Sequence, residues 1–189
     1  LVPHFEKMLY DNALLSRLYV HAYQATGNEF YMDVAKDIFS FIEREMTSED
    51  GLFYSAQDAD SEGEEGTFYT WSLDELKDLF GNDYKDSFFE KIGVTQQGNF
   101  EGRNIIHLTN GFSTYFDIWR DTDSKPNPKS IMLEKRNSRV RPFKDEKAIV
   151  FWNALMTQAL CEGYLATGVD TYKIRAIQNL KTLLNIDSD

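Results

Sequence analysis

Cysteine is almost absent from this sequence. Cys161 is the only one in 189 residues, so no disulfide forms within the chain. That fits a reducing, cytoplasmic setting, and equally a compartment where none is needed. Positive charge is also scarce: 20 Lys and Arg face 31 Asp and Glu, a net charge of −11. Nucleic-acid binding rests on Lys and Arg displacing counterions, so that class of partner is disfavoured. An anionic membrane surface is disfavoured for the same reason. Long apolar runs are missing, and the longest, such as 148–152, fall far short of a bilayer span. No zinc-ligand spacing, phosphate-binding Gly loop or dinucleotide fingerprint occurs, so neither metal nor cofactor is expected. The opening Leu1-Val2-Pro3-His4 has no Met and no signal-peptide pattern, and it reads as the start of a piece of a longer protein.

What the chain does have is a repeat. With 42% apolar and 14% aromatic residues it has the composition of a globular domain with one sizeable core. Residues 12–46 align without a gap onto 153–187. Asn12, Ala13 and Leu14 match Asn153, Ala154 and Leu155. Tyr23, Ala25, Thr26 and Gly27 match Tyr164, Ala166, Thr167 and Gly168, and Tyr31 and Ala35 match Tyr172 and Ala176. Ordinary residue usage would give roughly two such identities. Each copy reads as a helix, a Gly stop and a second helix. A repeated helical hairpin points to a stacked or ring-like α/α architecture, in which each unit buries its apolar face on its neighbours.

Periodicity and stop signals place the elements. The first helix is expected from about Pro3 to Thr26, with Leu14, Leu18, His21/Ala22 and Ala25 on one stripe. Gly27 stops it, and Asn28 caps a second helix carrying Tyr31, Val34, Ala35, Ile38, Phe41, Ile42 and Met46. Two aromatic runs, 51–56 and 67–71, read as strands around an acidic loop at 58–66. Ser72-Leu73-Asp74-Glu75 is a capping box opening a helix to about Phe80. Short helices are expected at 83–92 and 112–120, with a possible strand at 104–108. Asn127-Pro128 supplies a cap and an N1 proline for a helix over 129–138. Charge is uneven: 43–65 is strongly acidic and 129–147 is basic. Most such runs are solvated faces, but two at one rim would attract each other.

Three motifs stand together in order. They are Pro3-His4-Phe5-Glu6-Lys7-Met8-Leu9-Tyr10-Asp11, the segment from Ser55-Ala56-Gln57-Asp58-Ala59-Asp60 to Ser61-Glu62-Gly63-Glu64-Glu65-Gly66, and Arg139-Val140-Arg141-Pro142 followed by Asp145-Glu146-Lys147 and Trp152-Asn153. In this order the chain resembles the spermatogenesis-associated thioredoxin-like family. The resemblance implies an (α/α)₆ toroid of the six-hairpin glycosidase type, similar to N-acylglucosamine 2-epimerase. It also implies a thioredoxin-like domain upstream of Leu1 in the same full-length chain. Phe151 and Ala154 depart from the family's pattern, which has a small hydroxyl residue and a Gly at those places. The expected fold is thus mainly all-α: a partial toroid with repeat hairpins at 3–47 and 147–187 and a small β-hairpin insertion within 51–146. Two hairpins are too few to close a ring, so self-association of the fragment is expected.

Candidate residues follow from chemistry. His4 and Glu6 lie beside a helix start, and His4, Lys7 and Asp11 would share a helical face. A His near a carboxylate is an acid–base pair of the kind epimerisation uses, and a charged helix start is the plainer reading. Asp58, Asp60 and Glu62 alternate along the acidic loop and can supply a carboxyl for glycoside hydrolysis. Their spacing imitates a calcium loop, but Tyr69 occupies the twelfth position in place of the bidentate Glu, which argues against an EF-hand. Arg139 and Arg141 suit a ligand carboxylate or phosphate, or the acidic loop itself. Trp152 suits stacking on a sugar ring. Asn153 suits hydroxyl binding, although its repeat partner Asn12 favours a structural role. His4, Glu6, Asp58 and Asp60 are thus the catalytic candidates. Asp11, Glu62, Arg139, Arg141, Trp152 and Asn153 are the candidates for holding a sugar or sugar acid. The alternative is a non-catalytic interaction module attached to a redox domain.

Overall fold

The computed structural model describes residues 3–81, 86–109 and 127–186. The helix expected at 112–120 and the linker after it lie outside the described residues. The chain is mostly helical, with a small antiparallel β insertion. It divides into two compact units, one formed by 6–58 with 143 onward and one by 59–142 with the opening residues to Phe5.

The first unit holds both repeat copies. Helices α1 (Leu9–Thr26) and α2 (Glu29–Glu45) form one hairpin. In the second copy the same positions give one helix over Val150–Thr167 and another over Asp170–Ile186. Each hairpin turns on a left-handed glycine. Gly27 has φ 68° and Gly168 has φ 72°, and their N–H groups donate to Tyr23 O and Tyr164 O at 2.7 Å. Glycine adopts this conformation without the penalty a Cβ brings. Asn28 caps α2 by accepting from Phe30 N at 3.1 Å.

The first helix starts later than its pattern predicts. Strand β1 (Lys7–Met8) precedes it and pairs antiparallel with β2 (Ala56–Gln57). The N–H of Leu9 donates to Ser55 O at 2.9 Å. Backbone pairing to a distant segment has won over the local preference for helix. A second difference concerns burial. Leu14 and Leu18, on the stripe that the periodicity picks out, are 49% and 61% exposed. The buried face carries Leu9, Ala13, Ser16 and Val20 instead. Leu9, Ala13 and Val20 share a core with Phe39, Ile42, Phe53, Met156, Ala159 and Leu160. Small residues at Ala13 and Ser16 let a neighbouring helix approach closely.

The second unit contains a two-stranded hairpin, β3 (Asp60–Ser61) with β4 (Glu64–Glu65). The strands therefore lie inside the segment read as a loop, and the aromatic runs beside it are irregular except at Ala56, which opens β2. Phe68 and Trp71 are buried, and Trp71 makes a single bridge to Asn104. Large apolar side chains here serve packing rather than a pleated ladder. Helix α3 (Leu73–Phe80) begins with the full capping box, Ser72 bonding Glu75 in both directions. Then come α4 (Asp86–Lys91) and α5 (Pro128–Asn137), the latter capped by Asn127. In chain order the two second-copy helices are α6 and α7. The last strand, β5 (Lys144–Asp145), returns to the first unit and pairs with β2.

Candidate functional site

The ten nominated residues divide between the two units. His4, Asp60, Glu62, Arg139 and Arg141 fall in the insertion unit, and Glu6, Asp11, Asp58, Trp152 and Asn153 in the hairpin unit. His4 and Lys7 precede α1, so the shared helical face expected for His4, Lys7 and Asp11 does not form. His4 and Glu6 are exposed on either side of the buried Phe5. Asp11 is exposed in the first turn of α1, and Asp58 is exposed, its N–H donating to Phe143 O at 2.8 Å.

Asn153 is fully buried and its amide is committed to the protein. Its Oδ1 accepts from Phe53 N at 2.8 Å and from Asn179 Nδ2 at 2.9 Å. Its Nδ2 donates to Phe53 O at 2.9 Å and Ile149 O at 3.1 Å. The repeat partner Asn12 makes the matching bond to Met8 O at 2.7 Å. Asn179 adds a bond to Gly51 O at 2.9 Å, so an amide pair clasps the chain just after the first hairpin. Trp152 is half-buried against Tyr10, ring centroids 4.9 Å apart.

In the insertion unit the acidic hairpin does meet the basic segment. Ser61 Oγ donates to Val140 O at 2.7 Å. Arg139 is only 14% exposed and reaches across to the turn after β4. Its Nη1 donates to Phe68 O at 2.9 Å and Thr70 O at 2.7 Å, and its guanidinium lies 4.0 Å over the Trp71 ring. Its Nη2 binds Glu75 at 3.2 Å. Arg103 binds the other Glu75 oxygen at 2.9 Å and Thr70 through two bonds of 2.9 Å. Burial pushes the Glu75 carboxyl up. The Ser72 amide and the Arg139 and Arg103 guanidinium groups outweigh that and hold it below its usual range. Burial pushes the Arg139 guanidinium down, against the pull of Glu75. The two arginines and one carboxylate form a polar knot that fixes the segment 66–72. Arg141 lies outside the knot, exposed, and donates to Asn137 at 3.0 Å.

Two tight turns flank a cleft in this unit. Glu62-Gly63 turns β3 into β4 with both residues at positive φ, and Glu101-Gly102 does the same between the bridged pair Phe100 and Arg103. Both have the type I′ form that suits hairpin twist, with Glu strained where Asn or Gly is usual. Gly66 is required beside them: at φ 75° a Cβ there would sit 2.7 Å from the Phe5 ring. The cleft encloses about 330 Å³ and is lined by Glu64, Glu65, Thr67, Thr70, Phe100, Glu101 and Arg103. None of these was nominated from the sequence. The signal that could have found them is the Glu-Gly pair at 101–102, an echo of 62–63. Among the described residues no cluster of His, Cys, Asp and Glu is arranged to hold a metal ion, and no helix is long and apolar enough to cross a membrane.

Fold and site together define a mostly helical protein of two stacked hairpins with a cleft-bearing insertion. No protein-family model matches it. It is 34% identical to spermatogenesis-associated protein 20 of Homo sapiens over 197 aligned positions, which cover 88% of this chain and 25% of that protein. The mouse protein of the same name is 30% identical over 212 positions, covering 96% and 27%. An uncharacterized protein of Caenorhabditis elegans is 27% identical over 208 positions, covering 93% and 28%. These likenesses support the spermatogenesis-associated protein 20 family, the one that the three motifs resemble. The chain spans about a quarter of the length of these relatives.

Proposed function

We propose that the chain is part of an α/α ring of the six-hairpin glycosidase type and that its insertion carries a sugar-binding cleft. The observation that carries this reading is the composition of the cleft. Its volume, about 330 Å³, lies at the lower end of the range for small-molecule sites. A single sugar ring needs hydrogen-bond acceptors and donors together with one apolar surface. Glu64, Glu65 and Glu101 accept from hydroxyls, Arg103 donates, Thr67 and Thr70 carry hydroxyls, and Phe100 offers a ring. Arg103 is held in advance by Thr70 and Glu75, which lowers the ordering cost of binding. The carboxyls are also of the type that epimerases and glycosidases use. A thioredoxin-like domain elsewhere in a longer polypeptide, in a cytoplasmic setting, belongs to the same reading.

Calorimetry against neutral, amino and acidic sugars tests it. Binding should weaken at least tenfold in Glu64→Gln and Glu101→Gln, with the far-ultraviolet dichroism unchanged. If no sugar in the panel binds, the reading fails and the interaction-module reading takes its place. The latter draws on the exposed Leu14, Leu18, Val150, Phe151 and Leu165 of the hairpin unit.

A further inference from the structure

The cleft of the insertion unit is uneven in charge. Glu64, Glu65 and Glu101 line it, and Arg103 is the single basic residue among its lining groups. That guanidinium is already engaged. Its Nε donates to Thr70 Oγ1, and its Nη2 donates to Thr70 O and to Glu75, each at 2.9 Å. Arg139, which has the chemistry to bind an acid, is spent on the other Glu75 oxygen and on the carbonyls of 66–72. Arg136 and Arg141 lie over the Phe68 ring at 5.4 and 6.0 Å and do not line the cleft. The carboxylates are in the opposite position. Among the described residues Glu75 forms two ion pairs, whereas Glu64, Glu65 and Glu101 form none. A ligand carboxylate or phosphate would have to draw Arg103 away from its partners and enter beside three negative charges. An ammonium group meets no such barrier.

We propose, resting on the sugar-binding reading of this cleft, that its ligand is an amino sugar whose free amine is carried as an ammonium ion, rather than a neutral or an acidic sugar. The groups that would receive the amine stand on two short hairpins. Glu64 and Glu65 form β4. Glu101 sits on the turn between Phe100 and Arg103, whose backbones exchange hydrogen bonds of 3.0 and 2.8 Å. Phe100 is held edge-to-face with Phe5, ring centroids 5.4 Å apart. A fixed aromatic ring stacks on the C–H face of a pyranose, and it attracts a cation more than it does a neutral group. Arg103, pinned in place, serves a ring hydroxyl as a donor. The three carboxylates are exposed, so each contributes modestly and the selection is screened by salt.

Calorimetry on the 189-residue chain at about pH 6, where a sugar amine is protonated and the carboxylates are ionised, is the test. Glucosamine, galactosamine and mannosamine are compared with glucose, galactose and mannose, with the N-acetyl forms and with glucuronic acid. The best amino sugar should bind about tenfold more tightly than its hydroxyl and N-acetyl counterparts, and glucuronic acid should bind most weakly. The preference should shrink as sodium chloride is raised. Glu65→Gln and Glu101→Gln should each narrow it about threefold, with the far-ultraviolet dichroism unchanged. A neutral sugar bound as tightly as its amine, or glucuronic acid bound more tightly, overturns the proposal and leaves the sugar-binding reading standing. A preference undiminished in both variants overturns it as well, because the amine is then held elsewhere. Ethanolamine bound as tightly as the amino sugars, or no binding by any sugar, overturns the proposal and the sugar-binding reading together.

Discussion

In the hairpin unit Leu9, Phe53, Met156 and Leu160 meet in one apolar core, and the helices hold each other by packing. In the insertion a smaller cluster around Trp71, Leu76, Phe80 and Ile92 is supplemented by polar ties. Arg139 and Arg103 hold the segment 66–72 through its carbonyls, and Asn99 and Asn104 hold the loop that follows α4. Packing is distributed over many weak contacts, whereas each polar tie answers for several backbone groups at once. Apart from its Asn153–Asn179 clasp, the hairpin unit should therefore lose stability in proportion to the volume removed, whereas the insertion should fail at single residues.

The largest expected effect comes from the apolar side. Met156 is fully buried at the centre of the hairpin core, so Met156→Ala should cost about 2–5 kcal/mol. Urea denaturation followed by far-ultraviolet dichroism measures it. A loss under about 1 kcal/mol would mean that the core collapses around the cavity.

Arg139→Met comes next. It strands the Phe68 carbonyl, leaves the Thr70 carbonyl to Arg103 and removes one partner of Glu75, a local cost of about 2–3 kcal/mol. Amide exchange should quicken at Trp71 and Asn104, whose backbones bond each other, while α1 and α2 keep their protection. Equal quickening in both units would erase the distinction between them.

The smallest effect concerns pH. The folded Glu75 carboxyl titrates below its unfolded value, so its stabilisation is full above the unfolded range, near ~4.3. It is lost as the pH falls through the depressed folded value. The group is one-third exposed, so the contribution is about 1 kcal/mol or less. Melting curves of wild type and Glu75→Gln should converge as the pH falls from 7 to 3. A gap that widens on acidification would reverse the sign.

The signals that could be read in the chain are those whose partners lie within one helical turn. Gly27, Gly168, Asn28, Ser72 with Glu75, and Asn127-Pro128 each satisfy backbone groups a few residues away, and each stands where its type predicts. Burial was harder to read, because α1 carries two apolar stripes and periodicity does not say which has a neighbour. The aromatic runs misled for a related reason: Phe53 and Phe68 are placed by Asn153 and Arg139, far away in sequence. The cleft was the least legible. Its two halves are joined by Arg103 on Thr70, a pairing with no fixed spacing. Arg139 and Asn153 have the chemistry of ligand binders, yet what they bind is this chain's own backbone.

The Asn153–Asn179 clasp on the chain after α2 bears on how the protein tolerates change in length. Asn153 and Phe53 are 100 positions apart, and most of the intervening chain forms the insertion unit. The entropy of closing such a loop grows only with the logarithm of its length, so doubling it costs about 0.6 kcal/mol. The segment between the hairpins is thus free to lengthen or shorten over evolution at little thermodynamic expense. The cost falls on folding speed, since two hairpins that form locally must wait for a distant pair of amides to close the clasp.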